Sequence, residues 1–245
     1  MKILLEHLTA RTTIMKTQFI SVSIGALLYA PLASAANNPA TLTPDRVGVF
    51  KAPLVCPAAP QIGCGSASKP ILLDLEKQRG VLEAWLNRGG TIIAVVWKPE
   101  ANAEDRRKAT TDLKEDSATE MEGTSREQAV TDFLSEKVSG KGWYHGANVD
   151  RLSEEEASII AARLVRFVKA KTTLATDKAE PLQRAFNDAL RKDLTGEYAR
   201  LNQKPRRLED IARNYLDQEQ IKILKEAIKE EQAIEDGQRP VPKDG

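Results

Sequence analysis

The sequence predicts an α+β protein in which a small sheet comes first and a helical region follows. Two observations carry this. The runs Val81–Asn87 and Thr91–Trp97 read as strands, and Gly89-Gly90 between them is a tight hairpin signal. From Ser125 onward, apolar residues recur instead at the three-to-four spacing of helices.

The chain has 245 residues, of which 41% are hydrophobic, enough to bury a core in one or two domains. Lys and Arg number 36 against 35 Asp and Glu. That balance removes the general case for nucleic-acid binding, which needs a basic stripe. Composition also excludes collagen-like, disulfide-dense and wholly disordered classes.

At the N-terminus, Met15-Lys16 opens a short positive region, an apolar run extends from Phe19 to Leu32, and Ala33-Ser34-Ala35 fits a small-x-small cleavage site. Residues 1–35 therefore read as a secretory signal peptide cleaved after Ala35, with residues 1–14 as a spurious extension upstream of Met15. The apolar run is too short to span a bilayer, and nothing later is long enough. The expectation is a periplasmic protein with no membrane span after cleavage.

The elements follow in order. Residues 36–47, rich in Asn, Pro and Thr, read as a lead-in. Phe50–Val55 is a strand candidate weakened by Pro53. Pro70 in a first turn, with Ile71 and Leu75 four apart, gives a short amphipathic helix that Gly80 ends. Residues 100–124 are polar without an apolar period and read as a solvated insertion, or a polar surface helix in the first half. Ser125 starts a helix carrying Val130, Phe133 and Leu134. Ser153 and Glu156 read as a capping box ahead of a stripe from Ala157 through Ile160, Leu164 and Val168. Pro181 sits near the start of a further helix, Pro205 begins another, and Asp217 caps a last one through Ile221, Leu224 and Ile228. These signals divide the chain into an α+β domain over residues 48–150, a helical region over 151–236 and a disordered tail over 237–245.

The segment from Cys64 to Trp97 carries a resemblance. Ile71 lies seven residues after Cys64, Gly80 nine after Ile71, and Gly80-Val81-Leu82-Glu83-Ala84-Trp85-Leu86-Asn87 opens the next strand. This order resembles the heavy-metal-associated domain of copper chaperones and periplasmic mercury-binding proteins. The resemblance implies a ferredoxin-like βαββαβ fold over residues 48–150, closed by the Ser125–Lys137 helix and a strand near Trp143–Val149. It also implies soft-metal binding. The family's Cys-x-x-Cys is not kept, because Ala67 stands at the second Cys position, and the other thiol, Cys56, lies eight residues before Cys64.

Three readings of Cys56 and Cys64 stand open. Two cysteines in an oxidising compartment usually pair as a structural disulfide. Two converging thiolates select a soft ion such as copper or mercury. A thiol at a helix N-terminus is favoured as thiolate, which suits redox chemistry. His145 is a candidate third ligand, although a lone loop histidine is more often surface or packing. Trp85 and Trp97 read as strand packing, and Glu154-Glu155-Glu156 as charge suited to a helix N-terminus. No Ser-His-Asp set, phosphate-cradling glycine loop or two-His motif stands out. The apolar stripes of the helical region also offer a surface to a periplasmic protein partner. The sequence thus points to a non-catalytic periplasmic binding protein acting through Cys56 and Cys64 on a soft metal or in metal or envelope stress. The alternatives are an interaction module closed by a Cys56–Cys64 disulfide and a thiol-disulfide oxidoreductase.

Overall fold

The computed structural model describes residues 42–242 apart from 116, 141, 202, 205 and 206. The expected leader over residues 1–35, and Pro205, lie outside these residues.

Residue alternation builds a sheet that is buried on both faces. β1 (Val47–Lys51) pairs antiparallel with β3 (Ile92–Trp97), and β3 pairs antiparallel with β2 (Val81–Asn87). Successive strand side chains point to opposite faces. Val47, Val49, Ala94 and Val96 accordingly share one core, while Phe50, Ile93, Val95 and Trp97 share the other. A register shift between Val81 and Glu83 puts both Val81 and Ala84 into the second core. The hairpin falls at Gly89-Gly90 as expected, with Gly90 at φ 70°.

One face is covered by α3 (Gly123–Ser139), which inserts Ala129, Val130 and Phe133. The other face receives Leu72 and Leu75 from α1 (Gly65–Glu76) and Ala109 and Leu113 from α2 (Ala103–Glu115). It also receives the helical region: α4 (Asp150–Lys171), α5 (Thr176–Leu194), α6 (Glu197–Arg200), α7 (Leu208–Ala212) and α8 (Gln218–Glu235). Leu164 of α4, Phe186 of α5, Ile211 of α7 and Leu224 of α8 all join the core that contains Phe50 and Leu86. These members of the apolar stripes are buried in the protein's own core. Burial of each such side chain is worth about 1.5–3 kcal/mol, which fastens the helices to the sheet. Among the described residues no helix is long and apolar enough to cross a membrane.

Several elements depart from expectation. Among the described residues the sheet has five strands, β4 (Thr119–Glu120) and β5 (Trp143–His145) completing the order β4-β1-β3-β2-β5. Trp143–His145 (β5), expected to close a four-stranded βαββαβ sheet, pairs instead with β2, through Trp85↔His145 and Asn87↔Trp143. The edge of β1 is already taken by β4 (Thr119–Glu120), opposite Phe50 and Lys51. The segment read as a solvated insertion holds α2, whose Ala109 and Leu113 are 0% and 1% exposed. Two buried residues four apart suffice to dock an otherwise charged helix. β1 ends at Lys51, ahead of Pro53, rather than running to Val55. Pro70 lies inside α1 rather than in its first turn, and α3 begins two residues before Ser125. Asp217 caps α8 through a capping box with Gln220, as expected.

Candidate functional site

Both cysteines sit on one short two-stranded ribbon. Val55 bridges Gly63 in antiparallel fashion, the Cys56 amide donates to the Ile62 carbonyl (2.9 Å), and the Cys64 amide donates to the Leu54 carbonyl (2.7 Å). Residue alternation then places Leu54, Cys56, Ile62 and Cys64 on one side and Val55 on the other. Burial agrees, since Cys56 and Ile62 are fully buried and Val55 is exposed. Between the arms, Pro57 to Gln61 turn tightly, with the Ala59 amide on the Cys56 carbonyl (3.2 Å) and the Ile62 amide on the Ala59 carbonyl (3.0 Å). Pro57 and Pro60 suit this turn because each presets its own φ.

The two thiols are diagonal neighbours across the ribbon, and both are free. Diagonal positions in an antiparallel pair stand roughly 7–8 Å apart, beyond the roughly 4.4–6.8 Å that a disulfide spans.

Cys64 caps α1 through its carbonyl rather than its side chain. The carbonyl accepts from the Ser68 amide (3.1 Å) and from the Ser68 hydroxyl, while Sγ lies 3.4 Å from Ser66 Oγ. The helix begins one turn earlier than Pro70 implies, with no side-chain cap on its first turn. Gly65 is required at the next position, since a Cβ there would lie 2.7 Å from both the Ser153 amide nitrogen and the Val149 carbonyl oxygen.

That close approach brings α4 over the thiols. Ser153 and Glu156 do not form a capping box: α4 starts at Asp150 and is capped without a side chain by Val149. Both residues are buried, at 0% and 5% exposure, on the face that meets the ribbon. Burial, and then the nearby Glu156 charge, push the Cys56 thiol up to about 12. Burial also raises Glu156 above the usual carboxylate range. Ser153 Oγ and Glu156 Oε2 are buried without a protein hydrogen-bond partner.

One turn or two further along α4, Arg163 points the same way. Its Nη2 donates to the Ala58 carbonyl of the thiol turn (2.8 Å) and to Glu231 Oε2 of α8 (2.7 Å), and its Nε donates to Glu231 Oε1. Sequence reading missed Arg163 and Glu231, and assigned Glu156 to a capping box and to charge at a helix N-terminus. The available signal was periodic: Glu156 and Arg163 interrupt the same three-to-four spacing that carries Leu152, Ile160 and Leu164 into the core.

His145 is not brought to the cysteines. Its ring stacks on Trp85 (centroids 4.3 Å), and its Nδ1 lies 3.7 Å from Glu76 Oε1. Trp97 is buried in the core, and Trp85 packs against Phe133. Among the described residues, no group of three or more His, Cys, Asp or Glu side chains converges to hold a metal ion. The ribbon itself supplies two sulfurs, fewer than the four ligands of a structural zinc site. Comparison of the chain with protein-family models, curated proteins and solved structures gives no match.

Proposed function

We propose that the protein is an exported, non-catalytic binding protein whose Cys56–Cys64 ribbon takes up a soft metal ion, copper(I) or mercury(II), as its cargo. One observation carries this reading: the ribbon register sets two free thiols on the same side, at the head of α1. Two thiolates are the ligands such ions prefer. The sequence likeness of Cys64–Trp97 to heavy-metal-associated domains supports the same chemistry. The sheet order β4-β1-β3-β2-β5 differs from that family's ferredoxin-like sheet, so the likeness rests on the sequence segment alone. Export to the periplasm rests on the Met15–Ala35 leader signals.

Ligation by Cys56 expels a proton, since its thiol is held in the neutral form. The test is anaerobic titration of the reduced chain with copper(I) or mercury(II), followed by gel filtration and metal analysis. One ion per chain, lost in Cys64→Ser and in Cys56→Ser, is the expected result. Failure of the reduced wild-type chain to retain either ion refutes the reading.

A further inference from the structure

Among the described residues, the shortest side-chain hydrogen bond from outside onto the turn between the two cysteines comes from Arg163. Within the turn the backbone bonds are local: the Ala59 amide donates to the Cys56 carbonyl, the Ile62 amide to the Ala59 carbonyl, and the Cys56 amide to the Ile62 carbonyl. Arg88 Nη1 reaches the Gln61 carbonyl only at 3.4 Å. Arg163 Nη2, by contrast, donates to the Ala58 carbonyl at 2.8 Å from a guanidinium that is almost fully buried. That guanidinium is held in turn by both carboxylate oxygens of Glu231, so one side chain ties together α4, α8 and the thiol turn. A bidentate pair of this kind fixes orientation as well as charge.

The turn has little of its own to resist lifting. Its buried side chains are only Ala58 and Ala59, while Pro57, Pro60 and Gln61 face solvent. Cys56 lies beneath it at 0% exposure, whereas Cys64 is partly open. Segments with small apolar burial and few backbone tethers open at low free-energy cost without global unfolding.

We propose that Arg163 is a latch through which the C-terminal helix α8 controls whether solvent reagents reach Cys56. With Glu231 in place the guanidinium pins Ala58, and Cys56 stays covered. When α8 withdraws its carboxylate, the turn lifts and the second thiol becomes reachable beside Cys64. This concerns access alone and stands whether or not the two thiols hold a metal, because the assay contains none.

The experiment is timed alkylation of the reduced, full-length chain with iodoacetamide, read at each cysteine by peptide mass spectrometry. In the wild type, Cys64 reacts first and Cys56 about tenfold more slowly or worse. In Glu231→Gln, the Cys56 rate rises by about tenfold, while the Cys64 rate and the far-ultraviolet circular dichroism stay unchanged. An unchanged Cys56 rate in the folded variant overturns the proposal, as does a wild-type Cys56 that reacts as fast as Cys64. Should Glu231→Gln fail to fold, the wild type alone decides through the urea dependence of Cys56 labelling. A slope well below that of global unfolding supports a local latch, and a slope equal to it overturns one.

Discussion

Gly63 and Gly90 meet backbone to backbone: a Cβ built on Gly63 would lie 2.8 Å from the Gly90 Cα. The Leu54 amide also donates to the Gly90 carbonyl (2.9 Å), and the Gly63 amide donates to the Arg88 carbonyl (2.7 Å). The β2–β3 hairpin turn is thereby the seat on which the thiol ribbon rests. At φ 70°, Gly90 also occupies a conformation that side chains disfavour.

Gly90→Ala should therefore destabilise the fold by about 3 kcal/mol, from backbone strain and the clash of the new methyl with Leu54. Gly89→Ala, which meets nothing closer than 3.9 Å, should stay within about 1 kcal/mol of wild type. Urea unfolding of both variants measures the contrast, and equal losses would mean the ribbon is not seated on this turn.

The buried pair Arg163–Glu231 should respond asymmetrically to substitution. Removing one partner, as in Glu231→Ala, leaves an uncompensated buried charge and should cost about 3–5 kcal/mol. The double variant Arg163→Met with Glu231→Leu should recover most of that loss, because an apolar pair needs no desolvation. A double-mutant cycle in chemical denaturation reads the coupling. A simple sum of the two single losses would contradict the geometry seen here.

The sequence offered α2 only as a polar surface helix or a solvated insertion, yet Leu113 is buried under the sheet. Leu113→Ala should cost about 3 kcal/mol by loss of burial and creation of a cavity. Lys108→Ala, at an exposed position of the same helix, should change stability by less than about 0.5 kcal/mol. Thermal or urea midpoints separate these outcomes, and a neutral Leu113→Ala would return the segment to a solvated insertion.

Glu156 gives the protein a pH signature. Its carboxyl is raised in the folded state above its ordinary value of 4.5. The folded state thus holds a proton that the unfolded chain releases more readily. The resulting stabilisation is complete below the unfolded value and is lost as pH rises through the folded one. Glu156→Gln, which keeps the shape of the side chain, should remove this component. Its stability relative to wild type should rise between about pH 4.5 and neutrality. Urea midpoints of both proteins across that range test the sign, and a relative stability of Glu156→Gln that falls with pH would reverse it.

Local patterns determined much of this molecule on their own. β2 lies at Val81–Asn87 as the sequence reads, β3 is shorter by only Thr91, and the hairpin lies at Gly89-Gly90. These are short-range signals, in which alternation and a left-handed glycine act within a few residues. The stripe from Ala157 to Val168 and the Asp217 cap are legible for the same reason. Tertiary structure alone decided the rest. Which edge received Trp143–His145 depended on β4 already occupying the other, a competition between segments far apart in sequence. Whether Glu156 and Arg163 faced water or the core depended on what α4 packed against. A charged residue in a helical stripe reads the same from sequence in either case, and only the desolvation supplied by the ribbon and α8 separates the two.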